Sequence, residues 1–243
     1  MNETIANTCK NTIIIVCECG NTINDSNTID SLHKNVFLDL LYRIKRNCNS
    51  LLKLSDIEED YLAIRLLQRS IIEDLMTVFF LISLMENNQK FIEALDILDK
   101  PSKNSIKEWL AVHWEIDNAN AINRGKEYIP KEDYFEQFDT YSQHYFSSSN
   151  NEQTKKAKAT DWGFNGKPSS MKTCTEHHEL GKPIKYLYAE YRFLSQIEHY
   201  SPFNRGFSHS KDTYIKTHGE VIEYYVQYLL DVIKDRFKNT ENR

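Results

Sequence analysis

Residues 69–85 read RSIIEDLMTVFFLISLM, and this run decides the fold class that the sequence predicts. Between residues 75 and 85 only Thr77 and Ser83 interrupt an otherwise apolar stretch. A helix that is apolar on all sides is buried in the centre of a protein, whereas a helix that spans a bilayer needs about 20 apolar residues. The run therefore predicts a central, buried helix that begins at Ser55 or Asp56 and ends near Glu86.

Outward from this helix, capping residues predict where its neighbours begin and end. Asp30 or Ser31 is a good N-cap for a preceding helix, because its side chain can accept hydrogen bonds from free backbone amides. After the central helix, the pattern predicts a short helix that ends before Pro101. A further helix is predicted to begin at Ser105 and to stop at Gly125. The last helix is predicted over residues 220–237.

The low content of residues that break helices supports the same fold class. Gly and Pro together make up 12 of 243 residues, about half of their average share. They form neither the Gly-rich dinucleotide motif nor a P-loop, so the sequence gives no support for those nucleotide sites. The prediction is an all-α, single-domain helical bundle over residues 30–240, with an irregular basic loop at about 147–173. For residues 1–29 the pattern does not separate a strand from a docked helical extension.

Charge and cysteine content limit the classes of partner and the compartment. The chain has 30 Lys and Arg against 35 Asp and Glu, a formal net charge of −5. Any binding of phosphate groups must therefore be local. Five cysteines and no secretory signal at the N-terminus predict reduced thiols in a cytoplasmic protein without a membrane anchor. The sequence predicts no cofactor and no metal site.

Two candidate binding positions interrupt the apolar pattern before the C-terminal third. Arg69 and Glu73 are four residues apart on the central helix, which leaves open an exposed ion pair or buried charges with other partners. Trp162 lies with Phe164 in the basic loop, and such aromatic residues are costly to expose. We expect the loop to pack as a lid, with direct contact to a ligand as the alternative.

The third candidate group carries the predicted chemistry. Arg192 and His199 are seven residues apart, so on a helix they are separated by only about 20° around the axis, with Ser195 on the same stripe. RNA cleavage without metal could use His199 as general acid or base, Arg192 on the phosphate and Ser195 as a further donor. The alternative is that His199 caps the helix and Arg192 pairs with an acid of a neighbouring helix, such as Glu73. Three nearby residues are assigned to the same pocket: Tyr191, Arg205 and His209.

These motifs resemble known families. The order Arg69-Ser-x-x-Glu73, Trp162-Gly and Tyr191-Arg192-x-Leu-Ser195-x-x-x-His199 resembles a prokaryotic family of helical proteins of unknown function over residues 54–202. More distantly, Arg192, six residues and His199 are similar to the Arg-x(4–6)-His signature of HEPN domains. HEPN motifs often follow this Arg with a polar residue, where the present chain has Phe193.

The HEPN resemblance implies a helical bundle that forms a homodimer. It also implies a metal-independent endoribonuclease, or a nucleotide-binding effector, in a bacterial toxin or phage-defence setting. Its partner would be RNA or a nucleotide. The alternative function is a non-enzymatic interaction module, in which the same residues form a buried network or bind a regulatory protein.

Overall fold

The computed structural model describes residues 2–54, 61–136, 181–195 and 213–237. These ranges hold seven helices and no strand, so the predicted all-α helical bundle is confirmed. The helices are α1 (Asn2–Asp25), α2 (Ser31–Leu54), α3 (Tyr61–Leu84), α4 (Asn88–Asn123), α5 (Lys131–Glu136), α6 (Gly181–Ser195) and α7 (Thr213–Arg236). The chain divides into two compact units, one of Met1–Glu86 with Met171–Arg243 and the other of Asn87–Ser170.

The first unit is built around α3, which packs against α2, α6 and α7. The second half of α3 is buried almost without interruption, as the apolar run predicts. Near its end, the Phe79 ring lies 5.6 Å from the ring of Tyr228 and 6.5 Å from that of Tyr225, both on α7. No helix in the described ranges, α3 included, has the length and apolar character needed to cross a bilayer.

Helix α1 settles the question that the sequence left open for the N-terminal segment. Apart from the adjacent pair Thr8 and Cys9, its buried positions follow one another at spacings of three and four residues, which is the period of a helix and not of a strand. Several of them hold small or hydroxyl-bearing side chains, so the period is weak in the sequence. The hydroxyl of Thr12 donates to the carbonyl of Thr8 at 2.8 Å, which lets it be buried. The buried positions are Ile5, Thr8, Cys9, Thr12, Val16, Cys19 and Ile23.

In the second unit, one continuous helix replaces the two that the sequence predicts. Helix α4 runs for 36 residues and passes through Pro101, so the predicted ending before Pro101 and new start at Ser105 are wrong. A proline inside a helix removes one amide donor and its ring crowds the carbonyl four residues earlier, but the carbonyls on either side can still accept bonds from later turns. The cost of about 3 kcal/mol therefore need not end a long helix.

The end of α4 is predicted correctly. Gly125 has φ 69°, and its amide donates to the carbonyl of Ile122 at 2.9 Å. The next amide, of Lys126, donates to the carbonyl of Ala121 at 2.8 Å. This pair of bonds is the Schellman arrangement, which satisfies carbonyls left free by the last turn.

Alanine substitutions at two glycines should change the free energy of unfolding in opposite directions. Gly125→Ala should lower the free energy of unfolding by about 1 kcal/mol, because alanine is strained at a positive φ. Gly20→Ala should raise it by about 0.5–1 kcal/mol, because Gly20 lies inside α1 and a Cβ there would meet only Leu38 Cδ2 at 3.7 Å. Urea unfolding followed by circular dichroism measures both. Shifts of the same sign in the two variants would contradict the argument.

The start of α2 gives a pH-dependent prediction. Asp30 Oδ1 accepts from the backbone amide of His33 at 2.9 Å, and this bond is the main reason why the pKa of Asp30 lies below its ordinary 3.8. Asp30→Ala should cost about 1 kcal/mol at neutral pH, because the capping bond is lost. Because the pKa is lowered in the folded state, this stabilisation is full above pH 3.8 and disappears as the pH falls through the lowered value. Asp39 is exposed in the middle of α2, so Asp39→Ala is the control. It should change stability little, both at neutral pH and at a pH below the lowered pKa of Asp30.

Candidate functional site

A hydrogen-bonded group joins the central helix to α6. The guanidinium of Arg69 donates from Nε to the hydroxyl of Ser195 at 3.2 Å and from Nη2 to the phenol oxygen of Tyr191 at 3.3 Å. The same guanidinium carbon lies 5.2 Å from the centre of the Tyr191 ring. Tyr191 and Ser195 are four residues apart, so they share one face of α6 and can both reach Arg69. We call these three residues the Arg69 cluster.

Within this cluster, the hydroxyl of Ser195 makes two hydrogen bonds. Its hydroxyl donates to the carbonyl of Tyr191 at 2.7 Å while it accepts from Arg69. A serine hydroxyl has a single proton to donate, and here that proton is used within α6. In this arrangement Ser195 accepts from Arg69 and donates within α6, and its role as a further donor to a phosphate stays a prediction.

A second face of α6 contacts α7. Nδ1 of His218 lies 2.5 Å from Oε2 of Glu190, and the His218 ring lies 5.5 Å from the ring of Phe193. The His218 side chain is only 3% exposed. Glu190 and Phe193 are three residues apart and therefore share a face, which differs from the face of the Arg69 cluster. We call this pair the Glu190–His218 contact.

These two contacts determine where Arg192 points. Successive helical residues are separated by about 100°, so Leu194 lies between the two contact faces and Arg192 projects about 160° away from it. The burial agrees, since Leu194 is 1% exposed and Arg192 is exposed. The structure therefore brings Arg69, Tyr191 and Ser195 together and presents Arg192 to solvent.

The remaining predicted residues are placed as follows. Glu73 is half-buried on α3, one turn after Arg69, and its backbone carbonyl accepts from the hydroxyl of Thr77 at 2.8 Å. Four predicted residues lie outside the described part of the chain, so their roles stay predictions: Trp162, His199, Arg205 and His209.

Sequence reasoning missed a row of buried polar residues on α3. Asp74 is buried and its Oδ1 lies 3.0 Å from Nη2 of Arg43 on α2. Asn47 of α2 also donates to the hydroxyl of Ser70 at 3.1 Å. Contacts of this kind join residues that are distant in the chain, so spacing alone could not reveal them. The available signal was polar side chains recurring at helical spacing within an apolar helix, of which two more, Arg65 and Gln68, are buried.

Three of the described cysteines are poorly suited to a thiolate site. Burial raises the pKa of Cys9 to about 11 and that of Cys19 to about 12, and it also raises the pKa of Cys48. The thiolate is the form that binds metals and attacks electrophiles, and at neutral pH these three groups remain thiols. Across the described residues, no group of three or more His, Cys, Asp or Glu side chains could hold a metal ion.

The Arg69 cluster can be tested by its effect on stability. Tyr191→Phe keeps the ring but removes the oxygen that accepts from Arg69, so it should lower the free energy of unfolding by about 1 kcal/mol. Tyr186→Phe is the matched control on the same helix, and it should have no measurable effect because that side chain is 76% exposed. Equal changes in the two variants, measured by urea unfolding, would show that the Arg69 bond does not stabilise α6.

Comparison with known proteins adds no further assignment. No family model, no curated protein and no solved structure matches the chain. Both family resemblances therefore stay predictions, and the function has to be inferred from the chemistry of the side chains.

Proposed function

We propose that the protein is a HEPN-like, metal-independent ribonuclease, in which Arg192 binds the scissile phosphate and His199 transfers protons. The observation that carries the proposal is the position of Arg192. It is exposed on a helix that is held on two other faces by Arg69 and His218. A permanently charged guanidinium on a fixed support can bind phosphate through two parallel hydrogen bonds.

The proposed reaction uses the 2′-hydroxyl of RNA as its nucleophile. His199 removes the proton of that hydroxyl, whose oxygen then forms a bond to the adjacent phosphorus. The bond from phosphorus to the 5′-oxygen breaks, and the leaving oxygen takes up a proton. The products are a 2′,3′-cyclic phosphate and a 5′-hydroxyl. Arg192 stabilises the negative charge that develops on the phosphate oxygens.

The Arg69 cluster has a supporting role in this proposal. Arg69 is half-buried and donates to Tyr191 and Ser195, so in this proposal it holds α6 in place. Fixing the support in advance lowers the reorganisation needed when the substrate binds. Two further residues are proposed to complete the pocket, by analogy with the motifs above: Arg205 and His209.

The wider setting belongs to the same proposal. A homodimer would place two His199 stripes face to face, so that one imidazole acts as base and the other as acid. We propose a cytoplasmic protein of a bacterial toxin or phage-defence system, which acts on RNA or binds a nucleotide. The described cysteines are free of disulfide bonds, which fits a reducing compartment.

One observation favours a non-enzymatic interaction module as the alternative. Trp109, Val112 and Ile116 follow one another at spacings of three and four residues on α4, and each is about half exposed. Large apolar side chains that are exposed along one helical face are typical of a surface that binds another protein. The alternative assigns the function to this stripe, and it gives the Arg69 cluster a purely structural role.

Two substitutions separate these proposals. Arg192→Ala and His199→Ala should each reduce RNA cleavage about 100-fold or more while the melting temperature of the Arg192 variant stays unchanged. Cleavage by the parent protein should persist in EDTA and should disappear on RNA that lacks the 2′-hydroxyl. Arg46 on α2 is also exposed, so Arg46→Ala is the control and should cleave like the parent.

Either of two results would contradict the ribonuclease. The first is a parent protein without cleavage of RNA in the presence or absence of EDTA. The second is cleavage that Arg192→Ala and Arg46→Ala leave equally unchanged. A loss of stability in His199→Ala together with an inactive parent would favour the interaction module.

A further inference from the structure

The solvent face of α6 carries cationic and aromatic side chains along its length. Lys185, Ala189 and Arg192 are exposed at spacings of four and three residues, so they form one stripe. Tyr186 lies about 100° around the helix from Lys185, one turn before Glu190, and is 76% exposed, which is the highest exposure among the large apolar or aromatic side chains described. We call these four residues the α6 face.

The stripe of Lys185, Ala189 and Arg192 has no negative charge of its own. The sole acidic residue between Gly181 and Ser195 is Glu190, and its carboxylate lies against His218 on α7. The Glu190–His218 contact therefore keeps the one carboxylate of α6 away from Lys185 and Arg192. In a chain with a net charge of −5, this leaves a local cationic stripe to which a polyanion can bind.

We propose that the α6 face binds single-stranded RNA, with Lys185 and Arg192 on phosphates and Tyr186 stacked on a base. This inference rests on the proposed ribonuclease for its biological role, and it assigns the part of the substrate that lies beside the scissile phosphate. Seven helical residues separate the two cations by about 10 Å along the axis, which is more than one nucleotide of an extended strand.

The exposed tyrosine selects a single strand over a duplex. Aromatic side chains bind single-stranded nucleic acid because each base has a free face on which they can stack. In a duplex those faces are covered by neighbouring base pairs, and recognition depends on backbone and groove shape. An acidic peptide could satisfy the two cations but would offer no base to Tyr186.

Binding can be measured apart from cleavage. A fluorescent single-stranded RNA with 2′-O-methyl ribose cannot be cleaved through its 2′-oxygen, and its anisotropy reports the Kd. Tyr186→Ala should raise the Kd about 5-fold or more, because one stacked base is lost. Lys185→Ala and Arg192→Ala should each lower the slope of log Kd against log salt concentration by about one, because each removes a phosphate contact.

Matched residues on α2 provide the controls. Tyr42 is 65% exposed and Arg46 is exposed four residues later, so Tyr42→Ala and Arg46→Ala remove the same chemistry from another surface. Both should leave the Kd and the salt dependence unchanged. Circular dichroism verifies that the variants are folded, and all of these substituted side chains are exposed.

The outcomes separate this inference from the proposed ribonuclease. Binding that requires Lys185 and Tyr186, in a protein that cleaves no RNA, supports the α6 face and overturns the ribonuclease. Cleavage with a Kd that Tyr186→Ala and Tyr42→Ala change equally overturns the α6 face and keeps the ribonuclease. A duplex of the same sequence that binds as tightly as the single strand, or no binding by the parent, also overturns the α6 face.

Discussion

The hydrogen bonds from Arg69 to Tyr191 and Ser195 are the interaction on which the proposed site depends. They join α6 to the most deeply buried helix of the first unit. A half-buried guanidinium needs acceptors, and leaving it without them would cost more than the bonds themselves contribute. The orientation of α6 about its axis is therefore tied to α3, and the directions of Lys185 and Arg192 follow from it.

Apolar burial and polar contacts have separate roles in this unit. The apolar half of α3 supplies stability but tolerates small rotations and shifts, because hydrophobic attraction has no preferred direction. The ion pair of Asp74 with Arg43 and the contact of Glu190 with His218 do have preferred geometries. A shift of one helical turn would leave a buried carboxylate without its cation, so such contacts define the register of the helices.

Local signals in the sequence predicted the parts of the fold that local interactions determine. The buried half of α3, the cap at Asp30 and the ending at Gly125 each depend on residues within a few positions of one another. The helix end predicted before Pro101 was wrong, because the effect of a proline on a helix depends on the turns around it. For the site, the motif identified Arg69, Tyr191 and Ser195, whereas the pairing of Glu190 with His218 joins separate helices and has no signal in the spacing.

The small side chains of α1 also constrain how the sequence can change. A Cβ added at Gly219 of α7 would lie 3.5 Å from Cγ2 of Thr8, so alanine would fit there in ordinary contact and a larger residue would push the two helices apart. The size of residue 219 is therefore linked to that of residue 8. Among homologous chains the two positions should covary, with a bulkier side chain at one accompanied by a smaller side chain at the other.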